Sequence, residues 1–323
     1  MFQPRRILTK VLATLMGACA MVVAAQDFPA RPITIVAPFP AGSVTDNVTR
    51  VIAQSLQQSL GQSVVVDNRP GAQGTVGAAY VANAKPDGYT LLMGSSVMFV
   101  AKQLIKSLTY DPVQSFTPVS GVGSTAMMFM VNETSPIKSV AELAKAAVQA
   151  QPPVTMGYGS PSGQVAAALF GTVTHSQPVP VSYRGIPQAM TDLVGGHVQV
   201  AIVDVSTGLA QVNARKARAL AISAATRYSG APEIPTLQES FPQAAGTLET
   251  IIAVMAPAGT PTAVVQRLDR AIQDALARSE TKARFQVLNT TVLPLNAEQL
   301  TRRIASDNPN WESLMKKAGI EPQ

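Results

Sequence analysis

Short apolar segments rich in β-branched residues alternate with longer amphipathic segments along most of this 323-residue chain. Residues 33–37 have the composition of a buried strand, and residues 46–60 place their apolar side chains on one face of a helix. Continuous apolar strands separated by helices predict parallel sheets that are covered on both faces. The chain is therefore expected to have an α/β fold.

The alternation occurs in two sets, which predicts two doubly wound α/β domains. Strands are predicted at residues 33–37, 63–66 and 89–93, and then at 127–131, 155–158, 179–182, 199–204 and 219–223. We expect domain 1 to comprise residues 26–124 and 251–323, with domain 2 inserted as residues 125–250. Chain crossings near residues 117–127 and 249–256 would form a two-segment hinge, and a hinge between two lobes allows a cleft to close.

Helix starts are marked by capping residues at three positions. Ser139 with Glu142 predicts a capping box before a helix that ends near residue 149. Residues 260–261 predict a threonine cap and an N1 proline before a long helix. Asn296 with Gln299 predicts the start of the last helix.

Residues 1–25 have the organisation of a secretory signal. Basic residues within the first ten precede an apolar run over residues 11–25, and polar Gln26 follows. The run is shorter than the roughly 20 residues of a membrane-spanning helix. We expect cleavage after residue 25 and export to the periplasm, and the alternative is lipoprotein cleavage before Cys19.

The remaining composition argues against several classes of function. Loss of the three basic residues in the first ten lowers the net charge from +6 to +3, and aromatic residues make up only 5% of the chain, so we expect no nucleic-acid partner. Cys19 is the single cysteine, and the sequence has neither a histidine pair at i, i+4 nor a calcium-binding loop. We therefore expect no metal, no cofactor and no disulfide in the mature chain.

The loop between the first predicted strand and helix has the features of an anion site. Residues 38–46 follow the carboxyl end of a strand, where open α/β sheets bind ligands. The next helix directs free N–H groups and the positive end of its dipole at this loop of small residues. We interpret the loop as a carboxylate site, and the alternative is a tight turn with Ser43 or Thr45 as the N-cap.

Two other loops have a similar composition. Residues 71–77 are rich in glycine but lack the spacing of nucleotide-binding loops, so they predict a second set of backbone amides at the same cleft. Residues 157–164 repeat the pattern of the first loop in the second domain. Asp204 ends an apolar strand and either contacts the ligand or caps the next helix, and Asp46 has the same two interpretations.

The serines of the second-domain loop leave a hydrolase open as the alternative function. Ser160 or Ser162 would be the nucleophile, but Pro161 interrupts the G-x-S-x-G pattern. The two histidines, His175 and His197, lie beside predicted surface turns. We therefore assign no catalytic residue.

Several stretches resemble one family in particular. They include residues 35–42, 64–72, 86–92, 110–112, 116–119, 183–185, 192–196, 216–221, 235–237, 256–261 and 317–320. The chain resembles the Bug-type extracytoplasmic solute receptors of tripartite tricarboxylate transporters over nearly its whole mature length. It departs from the family pattern at Ser43 and Gln73, where glycine is usual.

The resemblance implies a type II periplasmic binding protein with a Venus-flytrap fold. It implies binding of a small carboxylate, such as a dicarboxylate, an acidic amino acid, citrate or an aromatic acid. The partners expected are integral membrane transporter subunits, or a sensor kinase if the chain serves signalling, and the receptor is expected to be a monomer. The expected ligand-binding residues are Phe39, Ala41, Gly42, Ser43, Thr45, Asp46, Gln73, Gly74, Ser95, Ser96, Ser160, Ser162, Gly163, Gln164 and Asp204.

Overall fold

Two β-sheets, each flanked by helices, organise the described part of the chain. The computed structural model describes residues 28–322 apart from 225, 229, 245–248 and 318. The predicted signal peptide, its cleavage site and Cys19 lie outside these residues. The two sheets and their helices confirm the α/β class and the two-lobed architecture.

The first lobe is built from the two ends of the described chain. Its N-terminal part contains β1 (Ile33–Ala37), α1 (Val44–Leu60), β2 (Val64–Asn68), α2 (Thr75–Ala82), β3 (Thr90–Ser95), a 3₁₀ segment (Ser96–Gln103) and β4 (Phe116–Thr125). The second lobe follows with β5 (Met127–Asn132), α3 (Val140–Gln149), β6 (Thr155–Tyr158), α4 (Pro161–Thr174), β7 (Val179–Ser182), α5 (Ile186–Val194), β8 (Val200–Asp204), α6 (Val205–Asn213), β9 (Ala217–Ile222) and α7 (Leu237–Ser240). The chain returns through β10 (Thr250–Pro257), α8 (Thr262–Ala277), α9 (Ser279–Val287), β11 (Thr291–Leu295) and α10 (Ala297–Lys317).

Both sheets are mixed, which corrects the expectation of purely parallel strands. The first sheet has the order β11-β4-β10-β3-β1-β2, and β10 is antiparallel to both β3 and β4. The second has the order β7-β6-β8-β5-β9, and β5 is antiparallel to β8 and β9. The antiparallel strands occur where the chain passes between the lobes: β5 is the first strand after the crossing into the second lobe, and β10 is the first strand after the return. The domain bounds stay a prediction, and Thr125 and Thr250 at their edges belong to strands of the first sheet.

Strands β4, β10 and β11 were not anticipated from the sequence. β4 contains Pro118, Gly121 and Gly123, which are residue types of low strand propensity. The expected chain crossing near residues 249–256 is itself the strand β10, which is buried along its whole length. Of the six strands in the first sheet, three were thus missed, and β2 and β3 were shifted by one or two residues at their ends, as is usual for sequence patterns.

The capping contacts at two of the three predicted helix starts differ from those that the sequence predicts. The Ser139 hydroxyl accepts from the Glu142 amide at 3.1 Å, but the Glu142 carboxylate accepts from the Lys138 amide rather than from Ser139. Helix α8 begins at Thr262, and the Thr260 hydroxyl donates to the Pro257 carbonyl instead of capping the helix. The reciprocal pair of Asn296 and Gln299 is confirmed, at 2.8 and 3.0 Å.

The last helix connects the cores of the two lobes. Leu300 and Ile304 of α10 pack in the first lobe, against a cluster that includes residues of β1, β3 and β10. Trp311 and Met315 pack about two and three turns after Ile304, against the second-lobe core, which includes residues of β5, β6 and α4. Pro309 lies inside this helix, between the two halves.

Among residues 28–322, no helix combines the length and the apolar character needed to cross a bilayer. The described helices bury apolar residues in the core clusters of the two lobes. In α1, for example, Val48, Ile52 and Leu56 are inaccessible to solvent.

A substitution in the second-lobe core tests how much its packing contributes to stability. The Phe170 ring is fully buried, and its centroid lies 5.7 Å from that of Phe129. Phe170→Ala should lower the free energy of unfolding by about 3–5 kcal/mol, because it removes buried apolar area and leaves a cavity. Val287→Ala is the control, since Val287 is 81% exposed and its change should stay within about 0.5 kcal/mol. Urea denaturation measures both, and equal effects would contradict this description of the core.

Candidate functional site

A small cavity lies between the two lobes, where the carboxyl ends of several strands meet. Its volume is about 50 Å³, which is enough for a few water molecules or a carboxylate-sized group. Seven of the residues expected to bind ligand line it: Phe39, Ser43, Thr45, Ser95, Ser160, Ser162 and Asp204. The other lining residues are Pro40, Val44, Thr125, Met127, Gly159, Pro161, Gly185, Ile186, Thr250 and Ile252.

Four helix N-termini converge on this cavity. Lining residues open α1, α4 and α5, and Asp204 is the N-cap of α6. Each N-terminus presents unpaired backbone N–H groups and the positive end of a helix dipole. No lysine or arginine is among the described residues that line the cavity. Backbone amides and hydroxyls therefore dominate a site suited to an anion.

The start of α1 supplies donors from the first lobe. The Ser43 hydroxyl caps the helix by accepting from the Asp46 amide at 3.3 Å. The amides of Val44 and Thr45 have no acceptor elsewhere in the described chain. The hydroxyls of Thr45 and Ser95 likewise make no hydrogen bond to another described residue, so four donors remain free to contact a bound group.

Asp46 lies behind the loop and holds it in place. Its carboxylate is almost completely buried and accepts from the Gly42 amide at 2.9 Å, from Arg50 Nε at 3.1 Å and from Asn68 Nδ2 at 2.9 Å. Burial alone would raise the pKa of Asp46, but the hydrogen bonds from Arg50, Gly42 and Asn68 together with the Arg50 charge lower it below its ordinary value. Asp46 does not line the cavity, and it acts as a support for the loop.

Ser95 and Ser96 follow β3 and have different surroundings. Ser95 lines the cavity, and its side chain is buried at the lobe boundary. Ser96 instead accepts a hydrogen bond from the Ile251 amide of β10 at 3.1 Å. Ser96 therefore joins the 3₁₀ segment to β10 and is oriented away from the cavity.

The second lobe contributes Ser160 and Ser162. The Ser160 hydroxyl caps α4 by accepting from the Gly163 amide at 3.2 Å, and the Ser162 hydroxyl is 2.7 Å from that of Thr250 in the first lobe. Neither serine bonds to a histidine in the described chain: His175 caps the far end of α4, and His197 follows α5 on the surface. Neither serine is therefore paired with a base that could activate it.

Two glycines of the cavity wall are required by close backbone approach. A Cβ atom on Gly159 would lie 2.1 Å from the carbonyl carbon of Gly185, so the loops before α4 and α5 touch backbone to backbone. A Cβ atom on Gly185 would lie 2.7 Å from Pro40 of the opposite lobe. Neither position has space for a side chain in this arrangement of the lobes.

Asp204 is the one acid on the cavity wall among the described residues. It is 2% exposed and accepts from the Thr207 amide at 2.7 Å and the Thr207 hydroxyl at 3.0 Å. Burial raises the pKa of Asp204 and outweighs the hydrogen bonds, which act in the opposite direction. The raised pKa makes this carboxyl group easier to protonate than an exposed aspartate, and only its protonated form could donate a hydrogen bond to an anionic ligand.

The remaining expected residues lie outside the cavity wall. Ala41 and Gly42 are exposed at the tip of the first loop, and Gly163 packs against Tyr158. Gly74 packs against the Phe39 ring. Gln73 and Gln164 bond to each other across the lobes at 2.9 Å.

Sequence reasoning missed several lining residues for identifiable reasons. Thr125, Thr250 and Ile252 belong to the strands that were not anticipated. Gly185 and Ile186 open α5, and the signal for them was present: Pro187 marks a helix start in the same way as Pro161 does.

No group of three or more metal-binding side chains occurs within the described residues. The groups on the cavity wall are backbone amides, hydroxyls, one buried carboxyl group and apolar side chains.

Comparison with known proteins identifies the family. The profile of the tripartite tricarboxylate transporter family receptor matches residues 48–320. The chain belongs to this family. Protein BugT of Bordetella pertussis is 32% identical to it, over 97% of this chain and 99% of BugT.

Solved structures of the family superimpose on the whole molecule. The periplasmic binding protein BugD has a TM-score of 0.83 at 32% identity, covering 92% of this chain and all of BugD. A Rhodopseudomonas palustris protein, Rpa4515 with adipate, has a TM-score of 0.85 at 29% identity, covering 92% and 100%. MatC of the same organism with bound malate has a TM-score of 0.81 at 27% identity, covering 89% and 99%. The chain is thus a Bug-type receptor with the flytrap fold.

The pKa of Asp46 gives a test of its supporting role. Because its folded-state pKa lies below the ordinary 3.8, its stabilisation is present above that pH and is lost as the pH falls through the lower folded value. Asp46→Asn should lower the free energy of unfolding by about 1–3 kcal/mol at pH 7, since an amide donor would face the donors of Gly42, Arg50 and Asn68.

Denaturant unfolding of both proteins from pH 7 to pH 3 measures this difference. We expect the gap between wild type and variant to narrow only below about pH 4. Asp274→Asn serves as the control, because Asp274 is exposed on α8. A gap that is absent at pH 7, or one that does not depend on pH, would contradict the role of Asp46.

Proposed function

We propose that this receptor binds a small carboxylate-bearing solute in the cleft between its lobes and presents it to a membrane transporter of the tripartite tricarboxylate type. The observation that carries this proposal is the convergence of four helix N-termini on one cavity without a lysine or arginine on the described wall. Such a site stabilises negative charge through oriented amides and dipoles.

The expected contacts follow from the free donors. The amides of Val44 and Thr45 and the hydroxyls of Thr45 and Ser95 would hold one carboxylate from the first lobe. Ser160, Ser162 and the carboxyl group of Asp204, whose pKa is raised by burial, would contact the ligand from the second lobe. Asp46, Gly42 and Ser96 would act indirectly by fixing the loops.

The ligand class proposed is a dicarboxylate, an acidic amino acid, citrate or an aromatic acid. Two solved relatives support the first of these, because they carry adipate and malate. The scarcity of cations at the site also favours a ligand that is recognised by hydrogen-bond geometry rather than by ion pairs.

Closure of the lobes would couple binding to transport. A ligand that binds both lobes favours the closed form by its differential affinity, and the closed form is the one that transporter subunits or a sensor kinase would recognise. The Ser162–Thr250 hydroxyl pair and the Gly185–Pro40 contact link the lobes directly in this structure. We also propose that the receptor acts as a monomer. We propose that it is not an enzyme, because the Ser160 hydroxyl caps α4 and the Ser162 hydroxyl contacts Thr250 of the other lobe.

A ligand screen tests the function. Malate, adipate, aspartate, citrate and nicotinate are each incubated with the purified protein, and the melting temperature and the mass of the recovered acid are measured. We expect acids of one chemical class to raise the melting temperature, because a ligand at about 100 times its Kd adds about 2.7 kcal/mol of stability. These acids should be recovered intact. Turnover of an ester or amide substrate that is lost in Ser160→Ala would instead establish a hydrolase.

Variants of the free donors locate the site. Thr45→Val and Ser95→Ala should each weaken binding of the acid found in the screen by about tenfold or more, because each removes a hydrogen bond to a charged group. Thr262→Val is the matched control, on an exposed position of α8. Calorimetric titration gives the affinities, and unchanged affinity in both site variants would argue against this cavity.

Export can be tested separately. We propose that the protein is periplasmic after removal of residues 1–25, so N-terminal sequencing of protein from the periplasm should begin at Gln26. A lipid-modified N-terminus at Cys19 would establish the lipoprotein alternative.

A further inference from the structure

A hydrogen bond between two glutamine side chains joins the lobes beside the cavity. Gln73 Nε2 donates to Gln164 Oε1 over 2.9 Å, although the residues are 91 positions apart. Gln73 lies in the 3₁₀ turn Ala72–Gly74 that precedes α2, and Gln164 lies in the first turns of α4. The bond therefore spans the boundary between the first and second lobes.

The backbone at Gln73 is unusual for the residue it carries. Ala72 has φ of +42° and Gln73 has φ of +56°, in the left-handed region that non-glycine residues rarely adopt. Strain of this kind persists where surrounding structure or function maintains it. The side chain of Gln73 makes the only hydrogen bond that crosses the lobes from this turn within the described residues, which gives the strained residue a role.

Two cavities are lined by successive parts of α4. The N-terminal residues Ser160, Pro161 and Ser162 line the cavity of about 50 Å³. Gln164 and the next turns of the same helix line a second cavity of about 730 Å³, with Ala167, Ala168 and Gly171. Gln164 thus follows directly after the residues of α4 that line the small cavity and is itself part of the wall of the large one.

The bridge has the properties of a contact that can be displaced. It consists of one neutral hydrogen bond, and Gln73 Oε1 is buried without a partner among the described residues. An unsatisfied buried acceptor offsets part of what the bond contributes. A ligand that reaches this point would have to separate two side chains that are only weakly held together.

We infer that Gln73 and Gln164 form a gate that determines the length of the carboxylic acid the cleft accepts. Short acids would be enclosed with the gate shut. Longer acids would have to break the bridge and extend along α4 into the larger cavity. This inference rests on the proposed function, because it assigns a selectivity to the same ligand site.

The test is a series of unbranched α,ω-dicarboxylic acids, from succinate through glutarate, adipate and pimelate to suberate. Affinities are measured by calorimetry for the wild type, Gln164→Ala and Gln73→Gly, with the melting temperature of each protein as a check on folding. We expect wild-type affinity to fall as the acid lengthens beyond the preferred member. In both variants the longer acids should improve relative to the preferred one, by about fourfold for each methylene that enters the larger cavity.

One further variant tests whether the hydrogen bond closes the gate, and another serves as a control. Gln164→Met keeps the length of the side chain but removes the amide, so it should behave like Gln164→Ala if the hydrogen bond is responsible. A wild-type length profile in Gln164→Met would overturn the role of the bridge. Gln57→Ala is the matched control on the exposed face of α1, and its profile should follow the wild type.

The outcomes separate this inference from the function on which it rests. If the wild type binds an acid of the series and both Gln164→Ala and Gln73→Gly retain its length profile, the gate is refuted and the binding function stands. If the folded wild type binds no acid in the series or in the screen above, the binding function fails and the gate fails with it.

Discussion

Unpaired backbone amides at the starts of helices are the constraint on which this molecule depends. A helix cannot satisfy its first N–H groups internally, and four helices of this chain direct theirs at one point between the lobes. Water, capping side chains or an anion must satisfy these groups. Ser43, Ser160 and Asp204 satisfy one amide each, which leaves the amides of Val44 and Thr45 available. The cleft can therefore attract a carboxylate without placing a cation on its wall.

Buried polar groups behind the loops maintain this arrangement. The Asp46 carboxylate accepts hydrogen bonds from the Gly42 amide, Asn68 and Arg50. These bonds fix the tip of the first loop relative to β2 and α1. Asp204 has a different environment, because burial dominates there and raises its pKa above the ordinary value. The two acids look alike in the sequence, since each lies at the start of a helix that follows a strand. Only their neighbours in space distinguish the acid whose pKa is lowered from the acid whose pKa is raised.

The parts that the sequence predicts well are those determined by local patterns. The strand at residues 33–37, the helix that ends before Gly61 and the loops before α1 and α4 follow from apolar periodicity and from capping residues. The part of the cavity wall formed by Thr125, Thr250 and Ile252 depends on how distant strands pair. The strand β4 was missed because it contains glycine and proline, which have low strand propensity. The Gln73–Gln164 bond depends on the relative placement of two lobes, which no local pattern encodes.

The last helix has a consequence for the way the two lobes separate. Because Leu300 and Ile304 are anchored in one lobe and Trp311 and Met315 in the other, α10 is a third connection in addition to the two chain crossings. A rotation of the lobes must bend or shear this helix, and Pro309 removes a backbone hydrogen bond between the two anchored halves. The C-terminal helix is therefore a third link across the hinge, and the turn at Pro309 is where it can bend at the least cost.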